Sequence, residues 1–146
     1  MSQQCAVCGA ILPEGDTCQA LFEKLLSLEY TDPAYGQVHF LTVACFMIQH
    51  EQYSDEALVW IRSVLQTYLQ NPLTSQQFRR IVAQGMDGTE RSWKVVRQEV
   101  APALPKVSWS MTIADVASHL TDAETYCEYV RRWAETTVRQ MGAVYR

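Results

Sequence analysis

The sequence predicts an all-α fold, and three observations support that prediction. Apolar residues recur at spacings of three and four through several segments, as on the buried face of a helix. Residues that cap helices stand directly before most of these segments. The alternation of apolar and polar residues that marks a half-buried strand reaches no convincing length. With 48% hydrophobic and 19% charged residues, the chain is expected to form a single-domain helical bundle over residues 1–146.

The first predicted helix follows a turn at residues 13–16, which include a proline and a glycine. Asp16 is expected to cap this helix, with Gln19 three residues later completing the cap. The helix should end near Tyr30, because residues 31–36 bring another proline and glycine. Its apolar positions are Leu21, Phe22, Leu25, Leu26 and Leu28.

A second helix is predicted from about Gln37 to His50. Since only a short link separates it from the first helix, the two should form an antiparallel hairpin. Cys18, at the start of the first helix, would then lie beside His50 at the end of the second. The apolar surface of the second helix consists mainly of Phe40, Leu41, Ala44, Cys45 and Ile48.

The third and fourth predicted helices each follow a capping residue. Ser54 precedes the third helix, which Asn71 and the following proline end. Thr74 and Gln77 form a capping box for the fourth, which should stop near Gly85. The third helix carries Leu58, Ile61, Val64, Leu65, Tyr68 and Leu69, and the fourth carries Phe78, Ile81 and Val82.

The remaining residues contain one weak and two clear helical patterns. Residues 90–100 fit a helix through Trp93, Val96 and Val100, whereas residues 101–105 contain two prolines and must be extended. A short helix is predicted after Thr112, with Ile113, Val116 and Ala117 on its apolar side. The last helix begins at a capping box of Thr121 and Glu124, carries the stripe Tyr126, Cys127, Val130, Ala134, Val138 and Met141, and ends before Gly142.

These elements divide the expected domain into four parts. Residues 1–18 form a cysteine-rich knuckle, and residues 19–84 form helical hairpins. Residues 85–111 are an irregular connection, and residues 112–146 hold the carboxyl-terminal helices.

The charge balance and the amino terminus narrow the class of protein. The formal net charge is -4 and the pI about 5.3, with no marked run of lysine or arginine, so binding to nucleic acid is disfavoured. The first residues show no secretory signal, and no apolar run is long enough to span a bilayer. We therefore expect a cytoplasmic protein whose five cysteines are thiols or metal ligands and not disulfides.

The most informative motif is Cys5-Ala-Val-Cys8-Gly9, followed by Cys18. A C-x-x-C-G turn presents two thiolates to one metal ion, and the glycine permits the tight backbone that this requires. Structural Zn²⁺ prefers four sulfur or nitrogen ligands. The hairpin geometry selects Cys18 and His50 as the other two, so the predicted zinc ligands are Cys5, Cys8, Cys18 and His50.

His39 is excluded from the same ion by distance. It lies eleven residues from His50 on the second helix, which separates the two by roughly 16 Å. His39 is expected to point inward, where Glu29 and Asp32 can hydrogen-bond it or share a second ion with it. A buried histidine satisfied by a carboxylate is the simpler interpretation.

Other interpretations of the cysteines and histidines stay open. Three free thiols, or a redox-active pair, also fit a C-x-x-C motif, although a redox pair normally follows a strand. Cys45 and Cys127 lie on apolar stripes and are expected in the core. His119 is expected to be an exposed loop residue.

Together these segments resemble a bacterial family of uncharacterised, zinc-ribbon-like helical proteins that share a domain of unknown function. The resemblance depends on the cysteine opening, on the helix Val38-His39-Phe40-Leu41-Thr42-Val43 ending in Gln49-His50, and on carboxyl-terminal motifs. Those motifs are Trp109-x-Met111-Thr112-Ile113-Ala114-Asp115-Val116, then Tyr126 and Val130-x-x-Trp133-Ala134. At Glu51 this chain departs from the family pattern, where proline is usual. The resemblance implies the helical fold and the metal but no activity.

The sequence supports two main functional hypotheses. The first is a binding or interaction module with a structural zinc, whose partner is a protein or a small molecule. The second is a metal-dependent enzyme with its site near His39 and Glu29. Against an enzyme, the sequence shows no phosphate-binding loop, nucleophile elbow or H-E-x-x-H helix. A nucleic-acid-binding zinc ribbon is a third alternative, and the acidic balance argues against it.

Overall fold

The protein is described by a computed structural model that covers residues 2–71, 76–77, 80 and 96–144. Helices dominate these residues, which confirms the predicted all-α class. The described elements are β1 (Ser2–Gln4), β2 (Ile11–Pro13), α1 (Cys18–Thr31), a 3₁₀ helix (Pro33–Val38), α2 (His39–Gln49), α3 (Asp55–Gln70), α4 (Ile113–Ala117) and α5 (Ala123–Val144).

The amino terminus forms a small hairpin that the sequence did not predict. Strands β1 and β2 pair antiparallel, with Gln3 opposite Leu12. Each strand has three residues, too few to show an alternating pattern. Leu12 is 3% exposed and belongs to the hydrophobic core, so the hairpin is packed onto the helices.

Helices α1 and α2 run antiparallel, as predicted. The side chains of Glu29 and His39 meet at one end of the pair, and the rings of Phe22 and Phe46 stack farther along, with their centroids 4.0 Å apart. The cap of α1 differs from the prediction by one residue. Thr17, not Asp16, has extended backbone and accepts the N–H of Ala20.

The region between α1 and α2 also differs in detail from the prediction. Residues 37–38 end a 3₁₀ helix, so α2 begins at His39 instead of Gln37. Asp32 caps this 3₁₀ helix by accepting the N–H of Ala34. The side chain of Asp32 is therefore engaged in a hydrogen bond with the backbone.

Helix α3 matches its prediction closely. Ser54 caps it by accepting the N–H of Ala57, and the helix ends before Asn71. Of the predicted apolar positions, Leu69 is half-buried and the others are buried, namely Leu58, Ile61, Val64, Leu65 and Tyr68.

The segment after α3 tests only part of the prediction. Of the predicted fourth helix, from Thr74 to about Gly85, residues 76–77 and 80 are described and are helical. Its other residues, and residues 90–95 of the next predicted helix, lie outside the described ranges. Residues 96–100 are described and form no helix, so that part of the prediction was wrong. Val96 instead forms an isolated antiparallel bridge with Tyr53, and the N–H of Arg97 donates to Gln52.

The carboxyl-terminal helices complete the core. Helix α4 begins after Thr112, as predicted, and Thr112 and Asp115 form a capping box for it. In α5 the cap is Asp122, one residue after the predicted Thr121, because its carboxylate accepts the N–H of Thr125. The predicted stripe is buried throughout: Tyr126, Cys127, Val130, Ala134, Val138 and Met141.

The carboxyl end of α5 extends beyond Gly142, before which the helix was predicted to end. Gly142 lies inside the helix, which continues to Val144. Helix α5 packs against α2, α3, α4 and the 3₁₀ helix, so it is the central element of the described core. No helix among the described residues is long and apolar enough to cross a membrane.

Candidate metal centre

The four predicted zinc ligands come together at one end of the α1–α2 pair. Their ligand atoms, three sulfurs and one imidazole nitrogen, all lie within 4.8 Å of one another. Cys8 Sγ is 3.6 Å from Cys18 Sγ, and Cys5 Sγ is 3.9 Å from His50 Nε2. A tetrahedral ion with metal–sulfur bonds of about 2.3 Å places its sulfurs about 3.8 Å apart. The spacing of the cluster therefore suits a tetrahedral metal ion.

The loop between β1 and β2 holds the first two cysteines. Gly9 has φ +83°, a conformation that favours glycine, and its N–H donates to the carbonyl of Cys5 at 3.0 Å. The N–H of Cys5 in turn donates to the carbonyl of Ala10 at 2.8 Å. These bonds close a tight turn that directs Cys5 and Cys8 to the same point.

Helix α1 positions the third cysteine. Cys18 is the first residue of α1, directly after the cap at Thr17. A thiolate there is stabilised by the positive end of the helix dipole. Cys8 and Cys18 are only 2% and 6% exposed, so the cluster is largely shielded from water.

Burial opposes charge on all three sulfurs. Burial raises the pKa of the Cys8 thiol, and it raises the pKa of Cys18 strongly with a further contribution from the nearby Cys8. At Cys5, burial also raises the pKa, but the backbone N–H groups of Cys8 and Val7 outweigh it and leave the pKa below its ordinary value. Three adjacent thiolates need a positive partner, and a bound cation supplies one.

The hydrogen bonds of His50 fix which nitrogen faces the sulfurs. Its Nδ1 lies 3.0 Å from the carbonyl oxygen of Phe46, which can only accept, so Nδ1 carries the hydrogen. Nε2 then presents its lone pair to the cluster, as a metal ligand does. Burial lowers the pKa of His50, and this favours the neutral imidazole that a metal requires.

His39 lies at the other end of the helix pair, as the distance argument required. Its Nδ1 is 2.9 Å from Glu29 Oε2, so the predicted carboxylate partner is confirmed. The expected burial was wrong, because the His39 side chain is 54% exposed. His39 is the first residue of α2, and its side chain stays largely exposed there. In the described part of the chain, the only group of three or more candidate ligands is the Cys₃His cluster.

The remaining cysteines and histidine lie where the sequence placed them. Cys45 and Cys127 are buried in the core, and burial raises the pKa of Cys45 to about 12. His119 is exposed in the turn after α4 and stacks on Tyr129, with ring centroids 4.1 Å apart.

One contact of the cysteine loop was not predicted from the sequence. Lys106 Nζ donates to the carbonyl of Ala6 at 2.8 Å, which ties the loop to the extended segment before α4. The two residues are 100 positions apart, and no local pattern indicates such a pairing.

Comparison with known families supports the part of the resemblance that concerns a domain of unknown function. The sequence model of DUF5946, a family of unknown function, matches residues 3–142. No curated protein and no solved structure matches the chain. Because the match spans nearly the whole sequence, the chain belongs to this family of unknown function.

Proposed function

We propose that this member of a family of unknown function is a small zinc-containing helical protein that acts as a binding or interaction module. One structural Zn²⁺ would be held by Cys5, Cys8, Cys18 and His50. The observation that supports this proposal is the convergence of their four ligand atoms within 4.8 Å.

The donor set favours zinc over other common metals. Thiolate ligands select soft or borderline ions, and three sulfurs with one imidazole form a standard structural zinc set. Magnesium and calcium prefer oxygen ligands, which the cluster does not provide. Four protein ligands complete a tetrahedron, so the ion would have a structural role and no open position for a substrate.

The position of the cluster explains what the zinc would do. Cys5 and Cys8 belong to the β1–β2 loop, whereas Cys18 and His50 belong to α1 and α2. An ion bound by all four would fasten the short amino-terminal hairpin to the helical pair. The binding surface of the module would then lie elsewhere on the helical domain.

The alternative of a metal-dependent enzyme near His39 and Glu29 has less support. Glu29 and His39 form a two-residue pair, and Asp32, the third expected member, caps the backbone instead. Two side chains without a third ligand make a weak metal site.

Replacing one zinc ligand tests the proposal. We expect Cys8→Ser to lose stoichiometric zinc and to melt at a lower temperature, because a hydroxyl is a poor zinc ligand. The matched control is Cys127→Ser, which changes a buried thiol outside the cluster. It should keep its zinc. Elemental analysis and thermal unfolding by circular dichroism measure both effects, and equal zinc content in the two variants would contradict the proposal.

A further inference from the structure

A groove of about 570 Å³ lies between α3, the extended segment before α4 and the carboxyl end of α5. Its volume is that of a small-molecule site. Aliphatic side chains form most of its wall: Leu58, Val59, Leu104, Pro105, Met141 and Val144. Val59 is 75% exposed although it belongs to an otherwise amphipathic helix, so the groove presents apolar surface to solvent.

One basic side chain of the groove has a buried nitrogen that finds no hydrogen-bond partner among the described residues. Arg62 lines the groove from α3, and its Nε is buried without a hydrogen-bond partner in the described structure. The guanidinium lies against α5 at Gly142, where an added Cβ would come within 2.7 Å of Arg62 Nη2. The absence of a side chain at Gly142 therefore provides the space that Arg62 occupies.

Within the described ranges, the one acidic side chain that lines the groove does not pair with Arg62. Asp55 also lines it, but its carboxylate forms an ion pair with Arg97 at 2.8 Å. Among the described residues no acidic group pairs with Arg62, so its positive charge lies uncompensated beside an apolar wall. A partly buried cation without a counterion is unfavourable, and an anionic ligand would supply one.

We propose that this groove binds a small aliphatic carboxylate, with its carboxylate paired to Arg62 and its hydrocarbon chain along the apolar wall. A guanidinium binds a carboxylate through two parallel hydrogen bonds, which suits a single arginine. A phosphate group would carry more charge than this one basic lining residue can balance. The proposal gives the binding role suggested above a ligand class, and it uses neither the zinc ion nor its ligands.

Calorimetric titration of the zinc-loaded protein with octanoate tests this assignment. We expect saturable binding to the unmodified protein and at least tenfold weaker binding to Arg62→Met, because a charged hydrogen bond contributes about 1.5–3 kcal/mol. Arg132→Met is the matched control, since Arg132 lies on α5 but pairs with Glu128 at 2.6 Å, away from the groove. It should bind octanoate like the unmodified protein. Octan-1-ol, which has the same chain length without the charge, should bind much more weakly.

A second variant keeps the test decisive if Arg62→Met does not fold. Val59→Glu places a negative charge on the groove wall at a side chain that is already 75% exposed, so packing is little disturbed. Repulsion of the carboxylate should weaken octanoate binding several-fold. The proposal is overturned if octanoate shows no saturable binding, if it binds a folded Arg62→Met as well as the unmodified protein, or if Val59→Glu leaves its affinity unchanged. The zinc content of the same samples reports separately on the metal proposal.

Discussion

Two glycines with the same kind of backbone show how single residues shape the amino terminus. Gly9 and Gly15 both have positive φ, at +83° and +90°. Gly9 closes the turn that holds Cys5 and Cys8, whereas Gly15 lies in the turn between β2 and α1. The two positions share a backbone constraint but differ in their relation to the metal cluster.

This difference leads to a matched pair of substitutions. Gly9→Ala should weaken zinc binding roughly tenfold, because a non-glycine residue at positive φ costs about 1–3 kcal/mol and here distorts the cysteine loop. Gly15→Ala carries similar strain away from the ligands, and nothing lies within 4 Å of its added Cβ. It should lower the melting temperature but leave the zinc affinity unchanged. Competition with a chromophoric chelator measures both affinities, and equal loss in the two variants would show that the Cys5–Cys8 turn has no special role.

The convergence of the four candidate ligands could be predicted from the sequence because each position depends on simple geometry. The spacing of Cys5 and Cys8 indicates a shared metal, and the short link before α2 places Cys18 beside His50. The hydrogen bond from His50 Nδ1 to the Phe46 carbonyl needed coordinates, because it depends on how the imidazole turns at the end of α2. The exposure of His39 was missed because helical spacing gives the direction of a side chain but not how closely the neighbouring elements cover it.

The predicted N-caps of two helices are wrong in the same direction. The cap of α1 is Thr17 instead of Asp16, and the cap of α5 is Asp122 instead of Thr121, so each cap lies one residue later than predicted. In each case two neighbouring residues are good caps. The backbone conformation decides between them, and Thr17 has the extended φ of -129° that an N-cap residue needs. Sequence alone does not determine that conformation.

The cap of α5 gives a pH-dependent prediction. The hydrogen bond from the Thr125 N–H lowers the pKa of Asp122 below its ordinary value. The folded pKa lies below the unfolded one, so the stabilisation is complete above about pH 4 and is lost as the pH falls through the folded pKa. The melting-temperature advantage of the unmodified protein over Asp122→Ala should therefore shrink between pH 6 and pH 3.

Asp122→Asn is the control for this titration. Its amide oxygen can still accept the Thr125 N–H, but it does not titrate in this range. Its advantage over Asp122→Ala should stay constant with pH. Comparing variants at each pH cancels the effect of acid on the cysteine cluster, which all three share. A constant difference between the unmodified protein and Asp122→Ala would show that the carboxylate charge does not contribute.

The molecule as a whole consists of a helical core with a small amino-terminal hairpin attached to it. Helix α5 is buried along its apolar stripe, whereas the β1–β2 hairpin has three-residue strands. The hairpin contacts other described residues through the cluster of three cysteines and His50, through Leu12 and through the bond from Lys106 to Ala6. The helical class was predictable from periodicity, but the hairpin was not, because strands this short leave no pattern. The Lys106 contact was not predictable because it joins distant parts of the chain.

Removing the metal should release this hairpin before it affects the helical core. After chelation, the amides of Cys5 and Gly9 should exchange rapidly with deuterium, because their hydrogen bonds lie within the cysteine loop. The amides of α5 should stay protected, since they are held by the buried core. Hydrogen exchange with mass spectrometry on the zinc-loaded and chelated protein compares the two regions. Equal loss of protection in α5 would mean that the zinc holds the whole fold and not only the amino terminus.

Elemental analysis combined with X-ray absorption at the zinc edge decides whether Cys5, Cys8, Cys18 and His50 hold the proposed ion. The purified protein should contain about one zinc per chain, with three sulfurs at about 2.3 Å and one nitrogen at about 2.0 Å. Such a shell would match the three thiols and one imidazole that meet within 4.8 Å. A protein without stoichiometric metal, or a zinc shell with a bound oxygen in place of a sulfur, would contradict the structural zinc.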